Sequence, residues 1–264
     1  MDGSKPTISN DMSTTEGGGG IITNGLILYI DPINTQSYIS GSTKCYNLIR
    51  NFSKVGSPAI TPAINIFGTL YNGISFNNSN GSFIFDGTND YIDLTPHYLP
   101  YFTLNSKITL ISWFKTSNNS SSGANIFPKN TIFGELEDAG MSGVGVDLGY
   151  LSIYYYDYLT PTWRTIRATG TTVSDNNWHH VAFVLDTTQT PSPTSNWSVY
   201  LDGQILVNQQ LLNGFYYNWI DGIGVTRYGG YFNGSIGLTQ IYNRLLTENE
   251  IFRNYKITKG RFGL

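Results

Sequence analysis

Few side chains in this sequence are spaced for bond-breaking chemistry. Glu135 and Glu137, with Asp138 beside them, fall in the stretch GELEDAG. On a strand, Glu135 and Glu137 would share a face, and two carboxylates about 5–9.5 Å apart across a scissile bond are what glycoside hydrolysis needs. The glycines around them favour a solvated loop instead. His179 and His180 follow Trp178 in an apolar run. One imidazole then points outward and the other lies inside with a hydrogen-bond partner, a structural rather than a catalytic arrangement. The sequence holds no nucleophile elbow, no phosphate-binding loop and no His/Cys cluster at metal-ligand spacing. The expectation is a protein that binds and does not catalyse.

The aromatic residues say more. Tyr154, Tyr156 and Tyr158 alternate onto one face of a strand, with Trp163 close behind. Phe215, Tyr216, Tyr217 and Trp219 crowd a second segment, and Tyr228 and Tyr231 sit in a glycine-rich third. A tyrosine or tryptophan face stacks on a sugar ring while polar groups bond the sugar hydroxyls. The same residues are enriched in protein interfaces, and they also fill cores. Carbohydrate, interface and structural roles therefore all stay open.

These side chains must be positioned mainly by strands. Charged residues make up 12% of the chain, about half the usual share. Polarity comes instead from Asn, Ser, Thr and Gly, and aromatics reach 14%, a balance that favours strands and turns over helices. The net charge is −3 without a run of Lys or Arg, which excludes a nucleic-acid footprint. No apolar stretch is long enough to span a bilayer. Residues 1–20 contain no secretory hydrophobic core, so synthesis in the cytoplasm without Sec export is expected. The single cysteine, Cys45, cannot form an internal disulfide, which fits a reducing compartment.

Residues 1–20 read as a flexible arm ending in Gly17, Gly18, Gly19 and Gly20, a swivel suited to docking on a partner. Beyond it about twelve strands are expected. Gly25–Ile30, Ser82–Phe85 and Tyr91–Leu94 come first, and one or two short strands are expected within 33–70. Residues 108–115 alternate, and Val144–Leu148, Leu151–Tyr158, Trp163–Ala168 and Trp178–Asp186 follow, with Val181, Phe183 and Leu185 on one face. A Thr/Pro/Ser loop is expected at 187–195. Trp197–Leu201 then turns at Asp202-Gly203 into Gln204–Val207, a strong hairpin signal. Ile220–Val225 and Ser235–Tyr242 complete the set. One short helix is expected after Thr247, whose hydroxyl and Glu250 form a capping box, with Ile251, Phe252 and Tyr255 on one face.

Four segments carry a resemblance: GLILYID at 25–31, FDGTNDYIDL at 85–94, NNWHHVAFVLD at 176–186 followed by WSVYLDGQ at 197–204, and GSIGLTQIYNRLLTENEIFRNY at 234–255. In this order and spacing they resemble the laminin G-like jelly roll of the concanavalin A-like superfamily. The resemblance covers residues 21–255. It implies an all-β jelly-roll sandwich of two antiparallel sheets over residues 21–264, with a short C-terminal helix, and it puts Trp178, Phe183 and Leu185 in the shared filling. It also implies a structural Ca²⁺, for which Asp31 matches the opening carboxylate. The closing stretch Gly237-Leu238-Thr239 lacks the second acid, so only a weak site completed by backbone carbonyls is expected.

The tail YKITKGRFGL resembles the end of jelly-roll proteins of tailed-bacteriophage virions. That implies a non-enzymatic virion structural protein (capsid decoration, fibre or tail component). Its lectin-like domain would face outward, contact host glycans, and be held to other virion proteins by the arm. Two alternatives stand beside it: a stand-alone carbohydrate-binding or adhesion module, and a glycoside hydrolase with an atypical acid pair. With so few charges to guard sheet edges, homo-oligomerisation is also expected, its symmetry open.

Overall fold

Short apolar runs closed by Gly, Asn and Asp turns make strands. The computed structural model describes residues 20–49, 66–95, 107–120, 130–136, 142–157, 159–189, 194–214, 220–226 and 229–264. The strands in chain order are β1 (Leu26–Ile30), β2 (Lys44–Tyr46), β3 (Phe67–Tyr71), β4 (Ser75–Asn77), β5 (Ser82–Asp86), β6 (Tyr91–Thr95), β7 (Lys107–Lys115) and β8 (Thr131–Gly134). They continue with β9 (Ser142–Asp147), β10 (Tyr150–Asp157), β11 (Thr162–Arg167), β12 (Trp178–Gln189), β13 (Thr194–Leu201), β14 (Gln204–Asn213), β15 (Gly222–Ile223) and β16 (Asn233–Tyr242). Helix α1 (Glu248–Thr258) and a 3₁₀ turn at Lys259–Phe262 close the chain.

The strands form two antiparallel sheets. One runs β14-β13-β12-β7-β16-β5-β4, with β1 also on β16; the other runs β11-β10-β9-β8-β15-β6-β3-β2. This is the expected jelly-roll sandwich. Leu110, Phe114, Phe183 and Leu185 of the first sheet share one core with Ile92, Phe133, Ile153 and Tyr155 of the second. Each such side chain contributes roughly 1.5–3 kcal/mol by leaving water.

The first sheet is covered on its outer face too. There Trp113, Leu238 and Phe262 form a separate cluster, the Trp113 and Phe262 rings stacked at 4.3 Å. Strand β7 is therefore buried on both sides. This corrects one expectation: Trp178 lies on the outer face against Phe262 (4.7 Å between rings), not in the filling between the sheets. The pleat sends Trp178 and Phe183 to opposite faces.

Other expectations shift at their boundaries. Strands β12 and β13 run on to Gln189 and from Thr194, so the loop expected at 187–195 is shorter. Strand β14 continues well past Val207 to Asn213, and β4 and β8 had no clear signal in the sequence. The Asp202-Gly203 turn forms as expected, with φ of 51° and 78°. A Cβ on Gly203 would come within 2.9 Å of Tyr255, so the same glycine lets α1 dock.

The capping box at Thr247 and Glu250 forms, both reciprocal bonds being present. The buried residues of α1, however, are Ile251 and Asn254, while Phe252 remains 38% exposed. Asn254 accepts the Ile22 amide at 2.9 Å and donates to the Tyr242 hydroxyl at 2.9 Å, joining the chain's first described segment, β16 and α1. Asn254→Ala is expected to cost about 2 kcal/mol, since it leaves the Ile22 amide without its acceptor and takes one donor from the Tyr242 hydroxyl, which keeps its bond to the Ile22 carbonyl. Urea unfolding of the full chain measures this.

A groove between the two sheet edges

Strands β10 and β11 pair so that Tyr156 faces Trp163 and Tyr155 faces Arg164. The Tyr156 and Trp163 rings meet edge to face at 5.3 Å and 73°. Both are half-buried. Strand β11 ends the second sheet and β14 ends the first. Where these ends approach lies a groove of about 420 Å³, lined by Tyr155, Trp163, Arg164 and Ile166 on one side and Leu211 and Asn213 on the other.

The turn beside the groove is held by Asp157. Its carboxylate accepts the amides of Leu159 (2.9 Å) and Thr160 (3.1 Å), the Thr160 hydroxyl (2.6 Å) and Arg164 Nε (2.5 Å). Burial alone would raise its pKa, but these donors outweigh burial and hold it at about 2. Gly214 passes so close that a Cβ there would fall 1.8 Å from the Asp157 carboxylate. Arg164 is thereby pinned at one end, also donating to Thr160 Oγ1 at 2.7 Å, while 44% of its side chain stays exposed. Arg164 and Asn213 thus line the groove, while the pleat turns the Trp163 ring to the other face of β11, against Tyr156. A guanidinium and an amide can hydrogen-bond sugar hydroxyls or a carboxylate, and an aromatic ring can stack on the apolar face of a sugar.

The other sequence-derived candidates scatter. Tyr154 is fully buried, its ring packed over Gly143 and its hydroxyl donating to the Ser142 carbonyl at 3.2 Å, so it is a structural residue and not part of an exposed tyrosine face. The face is interrupted because Val225 and Thr226 come down over Gly134 in the same sheet. Tyr231 stands 6.4 Å from Tyr91, which stacks on Tyr71 at 4.7 Å, a separate aromatic group on β3 and β6. Tyr158, Tyr216, Tyr217, Trp219 and Tyr228 lie outside the described residues, as do Gly17, Gly18, Gly19, Glu137 and Asp138; Gly20 is described and half-buried. Glu135 is 1% exposed and close enough to Tyr154 for its charge to act on that hydroxyl.

Asp31 does not stand open for a metal. Its carboxylate is met by Arg261 Nη1 at 2.5 Å, and by the Tyr29 hydroxyl at 3.3 Å. The arginine cation sits where a Ca²⁺ ligand set would need Asp31, and no group of three or more acidic, His or Cys residues placed to hold a metal occurs among the described residues. Of the two histidines, His179 is the satisfied one, 2.9 Å from Asp202 and 3.1 Å from Asp175. Burial lowers its pKa, but the two carboxylates outweigh that and raise it. His180 is buried as well, because α1 covers its face, and its Nδ1 has no hydrogen-bond partner. Arg164, Leu211 and Asn213 were not among the sequence-derived candidates; the Trp-Arg pair in TWRTIR was the one available signal.

The Laminin_G_3 family model, described as the Concanavalin A-like lectin/glucanases superfamily, matches residues 86–252. The chain belongs to this family. No curated protein matches the sequence. Among solved structures, the botulinum neurotoxin serotype C1 binding domain superposes with a TM-score of 0.59 at 12% identity, over 89% of this chain and 52% of that one. The binding domain of botulinum neurotoxin DC in complex with SialylT gives 0.56 at 11% identity, over 89% and 51%. The binding domain of Paraclostridial Mosquitocidal Protein 1 gives 0.54 at 14%, over 88% and 52%. At these identities the likeness is one of fold alone. The laminin G-like chain spans about half the length of each.

Proposed function

We propose that this laminin G-like chain is a non-catalytic, lectin-like module that takes a glycan in the groove between β11 and β14. The observation that carries this is strand β11, which holds an Arg164 guanidinium pinned by Asp157 on its groove face and a half-buried Trp163 against Tyr156 on the other. Membership of a lectin and glucanase superfamily and a structural neighbour in complex with SialylT support it. The burial of Glu135 counts against an acid pair, since glycosidase carboxylates must flank an accessible bond.

A glycan array probed with the full chain tests the reading. Trp163→Ala is expected to reduce the signal at least about tenfold, with little change in melting temperature, because the lost contact lies at the surface. Tyr154→Ala is expected to do the reverse, lowering stability by about 3 kcal/mol as a core truncation does. Equal array signals from wild type and Trp163→Ala would end the proposal.

For the biological setting, we infer a virion structural protein made in the host cytoplasm, held to other virion proteins by residues 1–20 and presenting the groove outward. The resemblance of the tail to phage jelly-roll proteins supports this. Co-sedimentation of the chain with purified particles is the expected result; its absence from particles would instead favour a free adhesion module.

A further inference from the structure

The sequence contains five Asn-Gly pairs, at 24–25, 72–73, 80–81, 213–214 and 233–234. Asparagine followed by glycine carries its own reaction. The glycine amide nitrogen attacks the asparagine side-chain carbon Cγ, closing a five-membered succinimide ring and expelling ammonia. Water then opens the ring at either carbonyl, leaving aspartate or isoaspartate. No further reactant is needed. Glycine favours the step because it has no Cβ to obstruct the approaching side chain. In an unfolded chain the five pairs are chemically alike. In the fold they are not.

Ring closure swings the peptide that joins the two residues, so the glycine must have room to move. Four of the five glycines are wedged. A Cβ added to Gly25 would press on the Arg244 side chain, on Gly81 on Ile33, on Gly214 on Asp157 and on Gly234 on the Lys115 carbonyl. Close-packed surroundings of this kind resist the swing. Gly73 is different: nothing lies within 4 Å of the same position. Asn72 and Gly73 are both exposed, at the corner where the chain leaves β3 in the second sheet for β4 in the first. Among the described residues no backbone carbonyl accepts the Gly73 amide, so its nitrogen is not tied into a ladder or turn. The Asn72 side chain is held by one exposed bond, Nδ2 donating to the Asn89 carbonyl at 2.7 Å. A bond of that kind contributes only about 1 kcal/mol and is a weak brake.

We propose that Asn72 is a self-modification site, at which the folded chain converts asparagine to aspartate and isoaspartate while the other four Asn-Gly pairs are protected by their packing. The change runs one way, because the ammonia escapes. Each product adds one negative charge to a chain of net charge −3. The new carboxylate cannot donate to the Asn89 carbonyl, and isoaspartate also lengthens the main chain by a methylene at the corner. Both effects fall beside Tyr71, whose ring stacks on Tyr91 at 4.7 Å. Asn213, which lines the groove, keeps its amide, so the inference stands apart from the glycan reading.

Peptide mapping by mass spectrometry tests it on the full chain, held folded in mildly alkaline buffer and sampled over time. An isoaspartyl methyltransferase marks the isoaspartate product. Asn72 is expected to convert at least about tenfold faster than Asn24, Asn80, Asn213 and Asn233, since about 1.4 kcal/mol of extra cost in closing the ring is already tenfold in rate. The rate at Asn72 should rise with pH, because the attacking nitrogen must lose its proton. In guanidinium chloride sufficient to unfold the chain, the five rates should converge. Asn72→Asp should elute on ion exchange with the aspartate product of aged wild type. An Asn72 that stays intact in the aged folded chain, another of the five converting as fast, or the same order of rates persisting in the unfolded chain would each overturn the proposal.

Discussion

Replacing Arg261 with alanine is expected to lower the free energy of unfolding by about 3–5 kcal/mol, the range seen when one partner of a buried ion pair is removed. The guanidinium makes three bonds at once. Nη1 meets Asp31 at 2.5 Å, Nε donates to the Asn80 carbonyl at 2.6 Å and Nη2 to the Gly81 carbonyl at 2.6 Å. The two charged side chains are only 18% and 11% exposed. Without Arg261, Asp31 stays in the interior with the Tyr29 hydroxyl, the Ser37 contact to its amide and no cation. Urea unfolding near pH 7 provides the measurement. Substituting Asp31→Leu in the same chain should recover a large part of the loss, because the penalty comes from the unpaired charge and not from the missing arginine itself. A loss below about 1 kcal/mol for Arg261→Ala would mean that the pair behaves as an exposed one.

The second large effect is in pH. Burial beneath α1, between Trp113 and Tyr255, lowers the pKa of His180 to about 4. Unfolded, the same imidazole takes up its proton near 6.5. Between those values the unfolded chain binds more protons than the folded one, so His180 makes stability fall as the pH is lowered through that window. The expected loss from pH 7 to pH 4.5 is on the order of 2–3 kcal/mol. His179 has the opposite sign. Its raised pKa contributes stability that is complete below about 6.5 and is lost as pH rises through its folded value. Asp157, held at about 2, contributes above the ordinary carboxylate range near 3.9 and loses that contribution only below it. The window from 4.5 to 6.5 thus isolates His180 from these two groups. His180→Leu should gain on wild type by that 2–3 kcal/mol when both are compared at pH 4.5 and at pH 7. A constant difference between the two proteins across the window would show that His180 titrates as an exposed histidine.

Much of the fold could be read residue by residue. The alternation in β12 and the Asp-Gly turn into β14 need only neighbours along the chain, and both formed as expected. So did α1, whose capping box is a local exchange of hydrogen bonds. Strand β7 shows where this reading stops. Its residues from Ile108 to Phe114 are buried on both faces, so its pattern does not reveal which face meets the opposite sheet and which meets the C-terminal turn. In β12 the alternation itself turns Trp178 away from Phe183; what the strand alone does not show is the second apolar layer at the C-terminal turn that Trp178 meets. Tyr154 looked like a binding tyrosine because its spacing matches Tyr156, yet the cover over its part of the sheet comes from residues more than seventy positions away.

The groove and the Arg261 ion pair belong to that second class. Trp163 and Asn213 line one groove, and Asp31 and Arg261 share one bond, although each pair is far apart in the chain. Strand identity, turn type and the helix start follow from interactions among near neighbours, so the order of residues was enough for them. Which side of each strand is buried, which strands end their sheets and what fills the place beside Asp31 depend on how distant segments stack. Only packing in three dimensions sets those, because a side chain's burial and partners are properties of everything around it and not of its own position in the chain.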